Sequence, residues 1–92
     1  MALQILENKG NFYIQGKITC ENVLAMKLHL EYVLTKRKYV TIDITNVTEI
    51  DSDGVLALTN IYMSALQTHK IFTIIGVGSK DLYDHFNNQN AA

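Results

Sequence analysis

Cysteine is scarce in this 92-residue chain, which contains Cys20 alone and no proline. A single cysteine excludes a disulfide framework and a cysteine-based metal site, and it predicts a reducing, cytoplasmic setting. Charge is also sparse and balanced, with eight basic and nine acidic residues and a net charge of −1. That balance gives no electrostatic reason to expect nucleic acid or an anionic membrane surface as a partner.

Long hydrophobic runs are absent as well. No apolar stretch approaches the ~18 residues of a membrane-spanning helix, and the N-terminus lacks the apolar region of a secretory signal. Hydrophobic residues nevertheless make up 48% of the chain, which is typical of a globular protein. We therefore expect a single domain over residues 1–92 without membrane insertion, ending in a disordered polar tail over residues 87–92.

Apolar periodicity predicts the order ββαβαβα. Two β-like segments flank Asn8-Lys9-Gly10 and predict a hairpin, after which Gly16 turns the chain out of the sheet. A helix is expected to begin at Thr19 or Cys20, with Thr19 the better cap. The other predicted elements are strands at 3–7, 11–15, 39–45 and 71–75, a helix at 52–68, and a short helix at 80–86 capped by Ser79.

Two strand–helix–strand crossovers predict parallel pairing, and the hairpin adds an antiparallel pair, so the sheet should be mixed. One side of the strand at 39–45 carries Tyr39, Thr41, Asp43 and Thr45. A sheet covered on both faces would not tolerate this polar row well. We therefore predict an α/β fold with the helices packed mainly on one face, and the uncovered face allows a homodimer.

Candidate catalytic chemistry is limited. The three histidines fall on different predicted elements without metal-ligand spacing, so no metal site is predicted. Carboxylates occur near one sheet edge at Asp43, Asp51 and Asp53, but the sequence places no histidine, cysteine or lysine to join them as nucleophile or base. We predict a non-enzymatic protein without a cofactor, in which Asp43 is a structural strand carboxylate. A small phosphotransfer enzyme using Asp43 or Asp51 is the weakest alternative.

The junction between the third strand and the second helix is the most distinctive stretch. It reads Asp51-Ser52-Asp53-Gly54, with Ser52 as the predicted N-cap and Asp53 in the first turn, where the helix dipole favours negative charge. Leu56 and Met63 lie seven residues apart on a side of this helix other than its core face. Apolar residues beside a charged helix end suit a partner groove, although packing on neighbouring helices explains them equally well.

These residues resemble the core of STAS domains, the family named for sulphate transporters and anti-sigma factor antagonists. The similarity extends over about residues 3–86, and it includes Asn22 ahead of the first helix. The segments that carry it are Gly16-Lys17-Ile18-Thr19, Ile42-Asp43-Ile44-Thr45, Asp51-Ser52-Asp53-Gly54 and Val55-Leu56-Ala57-Leu58.

The resemblance to the bacterial anti-sigma factor antagonists of this family implies a role in partner switching, a mechanism that controls transcription. The serine or threonine before the glycine is phosphorylated by an anti-sigma kinase, and the unmodified form binds that kinase. Here the acceptor position is Asp53, which has no hydroxyl, and Ser52 occupies the preceding position. Asp53 then either imitates the phosphorylated state or is simply a favourable first-turn residue.

The resemblance therefore implies a protein-interaction domain that binds an anti-sigma factor or kinase-like partner. The expected switch and partner-binding residues are Asp51, Ser52, Asp53, Gly54, Leu56 and Met63. The alternative is a cytosolic STAS subunit of an ABC-type lipid transporter that docks on the transporter's ATPase.

Overall fold

The computed structural model describes residues 3–90 of the chain. In chain order the elements are β1 (Gln4–Asn8), β2 (Asn11–Ile18), α1 (Val23–Lys36), β3 (Tyr39–Ile50), α2 (Ser52–Gln67), β4 (Ile71–Ile75) and α3 (Ser79–Asn90). The strands form one sheet in the order β1-β2-β3-β4, with an antiparallel first pair followed by parallel pairs. The predicted α/β class, element order and mixed sheet are confirmed.

The hairpin of β1 and β2 turns at Lys9-Gly10. Both residues have positive φ, 53° and 85°, which is the backbone of a two-residue turn whose twist matches the strands. The prediction that Gly16 turns the chain out of the sheet is wrong, because β2 continues to Ile18. Gly16 has a φ of 100°, and the pairing register shifts between Gly16 and Lys17. The glycine therefore accommodates an irregularity inside the strand.

Strand β3 is longer than its alternating pattern predicts. The segment expected to connect strand and helix, residues 46–50, continues β3 to Ile50 and pairs with the end of β2. Asn46 lies opposite Gln15, and Ile50 lies opposite Ile18. The register shifts along this pair break the strict in-and-out alternation of side chains, so the sequence pattern disappears although the pairing continues.

Helix α1 begins at Val23, later than the predicted start at Thr19 or Cys20. The residues before it form a turn that the Asn22 side chain holds. Its Oδ1 accepts from the Thr19 N–H at 3.0 Å, and its Nδ2 donates to the Lys17 carbonyl at 2.7 Å. The apolar face of the helix is buried at Met26, Leu30, Val33 and Leu34.

Helix α3 begins at Ser79 and continues to Asn90, beyond the predicted end at Phe86. Residues 87–90, expected to belong to the disordered tail, are helical, whereas residues 91 and 92 lie outside the described part of the chain. A helix can run on without an apolar stripe once its beginning is packed, because propagation adds a backbone hydrogen bond for each residue ordered. The pattern of apolar residues therefore does not indicate where α3 ends.

The helices cover one face of the sheet, as predicted. Between them lies a core of buried apolar residues: Phe12, Ile14, Ile18, Met26, Leu30, Val33, Leu34, Val40, Ile42, Ile44, Ala57, Leu58, Ile61, Ala65, Phe72, Ile74, Leu82 and Phe86. None of the helices among residues 3–90 is long and apolar enough to cross a membrane.

The opposite face of the sheet, here called the open face, carries a mixed surface. The strand register aligns Leu6, Tyr13, Asp43 and Ile75 in one row across all four strands. Leu6 and Ile75 are 50% and 40% exposed, and Tyr39, on the same face, is 62% exposed. The open face is thus partly wet, as the polar alternation of β3 predicts.

Candidate functional site

The start of α2 is capped by Asp51 and not by Ser52, the predicted N-cap. Asp51 has extended dihedrals, and its Oδ1 accepts from the Gly54 N–H at 2.8 Å. Ser52 is the first helical residue. The reason is the length of β3, which carries extended backbone up to Ile50, so the next residue takes the half-extended position that a cap requires.

The same Asp51 carboxylate also holds the chain that leads into α1. Its Oδ2 accepts from the Cys20 N–H at 3.0 Å, and the Asp51 N–H donates to the Ile18 carbonyl at 3.1 Å. Donation from the N–H groups of Gly54 and Cys20 holds the pKa of the Asp51 carboxyl below its ordinary value of 3.8. Asp51 therefore joins α2 to the segment after β2 while it stays ionised at neutral pH.

Gly54 permits a close approach of α2 to the end of β2. A Cβ at this position would lie 2.5 Å from the Ile18 carbonyl oxygen and 2.9 Å from the Cγ2 atoms of Ile18 and Ile50. Any larger residue would push the first turn of α2 away from the sheet. Glycine has a poor intrinsic propensity inside a helix, so helix formation does not explain its presence at this buried position. The close packing against β2 and β3 does.

The two exposed residues between Asp51 and Gly54 point to different sides. Ligand atoms of Asp53, Asp51 and Cys20 all lie within 4.8 Å of one another, on the side of α1. These are the residues that could contact a cation at this end of the sheet, but acidic groups near the surface commonly cluster in this way without an ion. We assign no metal to them. Ser52 instead faces a groove on the other side of α2.

This groove, here called the α2–α3 groove, has a volume of 430 Å³ and separates the first half of α2 from α3. Its lining residues are Ser52, Val55, Leu56, Thr59 and His85. Leu56 is 57% exposed, so its side chain forms an apolar rim that is open to a partner. Because α3 crosses the core beside α2, the groove combines residues that are far apart in sequence.

The structure brings some of the predicted partner-binding residues together and separates others. Ser52 and Leu56 share the α2–α3 groove, whereas Asp53 lies on the Cys20 side of the helix end. Met63 is half-buried and does not line the groove. His85 lines it, although the sequence singles it out only as a histidine without metal-ligand spacing. No pattern within α3 indicates which neighbouring helix this side chain meets.

Asp43 lies in the middle of β3, away from the helix start. It is half-buried, and its Oδ1 accepts from the Thr45 N–H at 2.8 Å. The chain after β4 passes close to it, because a Cβ added at Gly76 would lie 2.6 Å from this oxygen. Asp43 therefore lies where the chain after β4 passes β3, and the rest of β3 separates it from Asp51.

Comparison with known proteins places this geometry in a family. The model of the STAS domain matches residues 2–90, which include the whole sheet and all three helices. The chain belongs to the STAS domain family. No match to a curated protein sequence was found.

Solved structures share the STAS fold. An anti-sigma factor antagonist from Mycobacterium paratuberculosis is 17% identical with a TM-score of 0.69, over 98% of this chain and 80% of that one. The anti-sigma factor antagonist SpoIIAA in its unphosphorylated form is 9% identical with a TM-score of 0.62, over 94% and 98%. Mglu is 14% identical with a TM-score of 0.66, over 82% of this chain and 19% of Mglu. The chain thus spans about a fifth of Mglu.

These similarities confirm the predicted family and the predicted fold. The α2–α3 groove and the exposed helix start lie within the part of the chain that the STAS model covers. At such low identities the structural neighbours establish the fold alone, so the use of the site in this chain is a separate question.

Proposed function

We propose that this STAS domain is a non-enzymatic, cytoplasmic interaction module that binds an anti-sigma factor or a kinase-like protein at the start of α2. The observation that carries the proposal is the α2–α3 groove, which places the exposed Leu56 beside Ser52 and next to the exposed helix end. An apolar rim beside a charged helix terminus offers a partner both buried area and orientation.

Asp53 gives a fixed negative charge to the exposed helix end that borders the proposed surface. It is exposed in the first turn of α2, where the positive end of the helix dipole favours its charge. A phosphoserine would bring about −1.5 to −2 charges, whereas an aspartate brings about −1 without a kinase. Because Asp53 has no hydroxyl, the partner-binding state is not switched by phosphorylation at this position.

The sharpest test compares two leucines of α2 with similar exposure. Leu56, 57% exposed, rims the groove, and Leu66, 51% exposed, lies near the other end of the helix. Wild type, Leu56→Asp and Leu66→Asp are used as bait in lysate of the native cells, and captured proteins are identified by mass spectrometry. We expect an anti-sigma or kinase-like protein with wild type and Leu66→Asp, and at least a ~10-fold loss with Leu56→Asp, because a charge replaces a buried contact.

A fourth bait, Asp53→Ser, reports on the charge. Tighter capture of the same partner by this variant would mean that Asp53 imitates a phosphorylated state, and equal capture would mean that it is an ordinary first-turn residue. Capture of a transporter ATPase by all baits except Leu56→Asp would replace the anti-sigma assignment with the transporter alternative. Equal capture of a partner by Leu56→Asp and wild type contradicts the proposed surface.

A further inference from the structure

The two edge strands of the sheet differ in whether a side chain covers their outer backbone groups. At the β4 edge, the Tyr83 hydroxyl of α3 accepts from the Ile74 N–H at 2.7 Å. A side chain thus occupies a backbone donor that would otherwise pair with another strand. Covering an edge in this way is one of the means by which natural sheets avoid edge-to-edge pairing.

The β1 edge has no such cover. Within residues 3–90, no strand lies on the outer side of β1. The two-residue turn makes Asn8 and Asn11 a hydrogen-bonded pair, and such pairs alternate along an antiparallel ladder. The backbone N–H and C=O groups of Ile5 and Glu7 therefore point away from β2.

Nothing in the sequence of β1 discourages pairing at this edge. Gln4–Asn8 contains neither proline nor lysine, and its register with β2 runs without a shift. Its one charged side chain, Glu7, is already engaged, because Glu7 Oε2 lies 2.7 Å from Nη2 of Arg37. The usual devices that protect an edge strand are therefore missing from β1, apart from its shortness.

A groove follows this edge between β1 and α1, and its two ends differ in charge. It consists of cavities of 650 and 340 Å³ that share Ile5 and His29. The first cavity includes Glu21, before α1, and the second includes Lys36 at the end of α1. Since Glu7 and Arg37 neutralise each other, the groove is acidic at one end and basic at the other.

We propose that the β1 edge binds β1 of a second copy in antiparallel orientation, which forms a two-fold dimer with one continuous sheet. A two-fold axis at β1 places the Glu21 end of each groove near the Lys36 end of the other, so the charges are complementary. The same axis opposes the dipoles of the two α1 helices. Because each copy uses its single β1 edge in the two-fold pair, and Tyr83 occupies a backbone donor at the opposite β4 edge, the pairing closes as a dimer and does not extend into a filament.

The register of the pair follows from the outward-facing groups. An axis at Leu6 lets Ile5 of each copy exchange hydrogen bonds with Glu7 of the other. Leu6, which is 50% exposed, then lies against its own copy at a non-hydrogen-bonded position, where side chains approach most closely. This dimer uses the edge of the sheet, unlike a dimer through the open face.

Sedimentation equilibrium with variants at one position tests the proposal. Glu7→Pro removes an N–H that makes no bond to β2, together with the side-chain pair to Arg37. Glu7→Gln keeps the N–H and removes the negative charge from that pair, so the two variants differ at the backbone. We expect wild type and Glu7→Gln to sediment at twice the chain mass of 10.4 kDa. Glu7→Pro should raise the dimer dissociation constant roughly tenfold or more, because each interface loses a hydrogen bond on both sides.

Tyr39→Glu serves as the competing variant, because Tyr39 is 62% exposed on the open face. It should leave the edge dimer intact. A dimer that Tyr39→Glu dissociates and Glu7→Pro does not would be an open-face dimer, and a wild type that is monomeric at all concentrations would equally overturn the proposal. Neither result bears on partner binding at Leu56, so the two proposals fail separately.

Hydrogen exchange of the unmodified protein gives a second readout that does not depend on whether Glu7→Pro folds. The amides of Ile5 and Glu7 should exchange more slowly as protein concentration rises, because dimer formation buries them. The Ile74 amide, bonded to Tyr83 within one chain, should exchange at a rate independent of concentration. Concentration-independent exchange at Ile5 and Glu7 would contradict the edge dimer.

Discussion

At the scale of single residues, Asp51 connects three parts of the chain. Its two oxygens accept from Gly54 and Cys20, and its N–H donates to Ile18. The carboxylate acts as a helix cap and as a tether between α2 and the turn before α1. Both hydrogen bonds favour its ionised form, which is the cause of its lowered pKa.

This lowered pKa predicts how stability responds to acid. A carboxyl whose folded pKa lies below its ordinary value stabilises the fold fully above that value, and the contribution is lost as pH falls through the folded pKa. We therefore expect Asp51→Asn to be less stable than wild type in urea titrations at pH 7. The difference should shrink as pH falls below 3.8, the ordinary pKa. A difference that stays constant or grows in acid would mean that the charge of Asp51 does not matter.

Among the secondary-structure elements, α3 has two contacts of consequence, one with the edge strand β4 and one with the α2–α3 groove. Its Tyr83 accepts from the Ile74 N–H of β4, and its His85 lines the α2–α3 groove. The ring of Tyr83 also meets Tyr62 and Phe86 edge-on, at centroid distances of 6.0 and 5.9 Å. The helix thus fixes the outer strand while it shapes the surface proposed for the partner.

Removing only the Tyr83 hydroxyl separates the effect of its hydrogen bond to β4 from the effect of its aromatic contacts. Tyr83→Phe keeps the aromatic contacts and leaves the Ile74 N–H without its acceptor, so we expect a loss of about 1 kcal/mol in the free energy of unfolding. Hydrogen exchange at the Ile74 amide should accelerate. Tyr39→Phe is the control, since that side chain is 62% exposed, and it should leave stability and Ile74 exchange unchanged. Unchanged exchange in Tyr83→Phe would show that the hydroxyl does not protect β4.

In strand β3, the alternating pattern predicts only part of the element. Its first half alternates and is correctly predicted, but residues 46–50 pair with β2 through register shifts that no period of two describes. The predicted cap was wrong for the same reason. Extended backbone up to Ile50 makes Asp51 the N-cap of α2 and places Ser52 inside the helix. An extension of one strand thus reassigns the residue that caps the next helix.

At the scale of the whole molecule, a single-sided core joins all the elements. The helices bury one face of the sheet, and α3 is anchored to this core by Phe86, which is 0% exposed. The Phe86 ring stacks on Tyr62 of α2 with centroids 4.8 Å apart. Through this contact the α2–α3 groove depends on the core beneath it.

Truncation of this anchor should destabilise the entire domain. Phe86→Ala removes a fully buried ring, for which core substitutions cost about 3–5 kcal/mol, and a domain of this size has about 5–15 kcal/mol in total. We expect a fall in Tm of more than ~10 °C in thermal unfolding followed by circular dichroism. Phe86→Leu, which keeps part of the volume, should lose less. A loss below ~1 kcal/mol for the alanine variant would show that α3 packs independently of the core.

The order of elements, the placement of the helices on one face of the sheet and the resemblance to STAS domains all follow from the sequence alone. These properties depend on hydrophobic periodicity and on a motif whose residues are close together in the chain. The three-dimensional fold, by contrast, brings Asp51 to Cys20 and puts Ser52 and Leu56 into one groove with His85, while Asp53 lies on the other side of α2. The physical reason is that these contacts join residues of different elements, whose relative placement is set by packing and strand register, and neither is written in a local pattern.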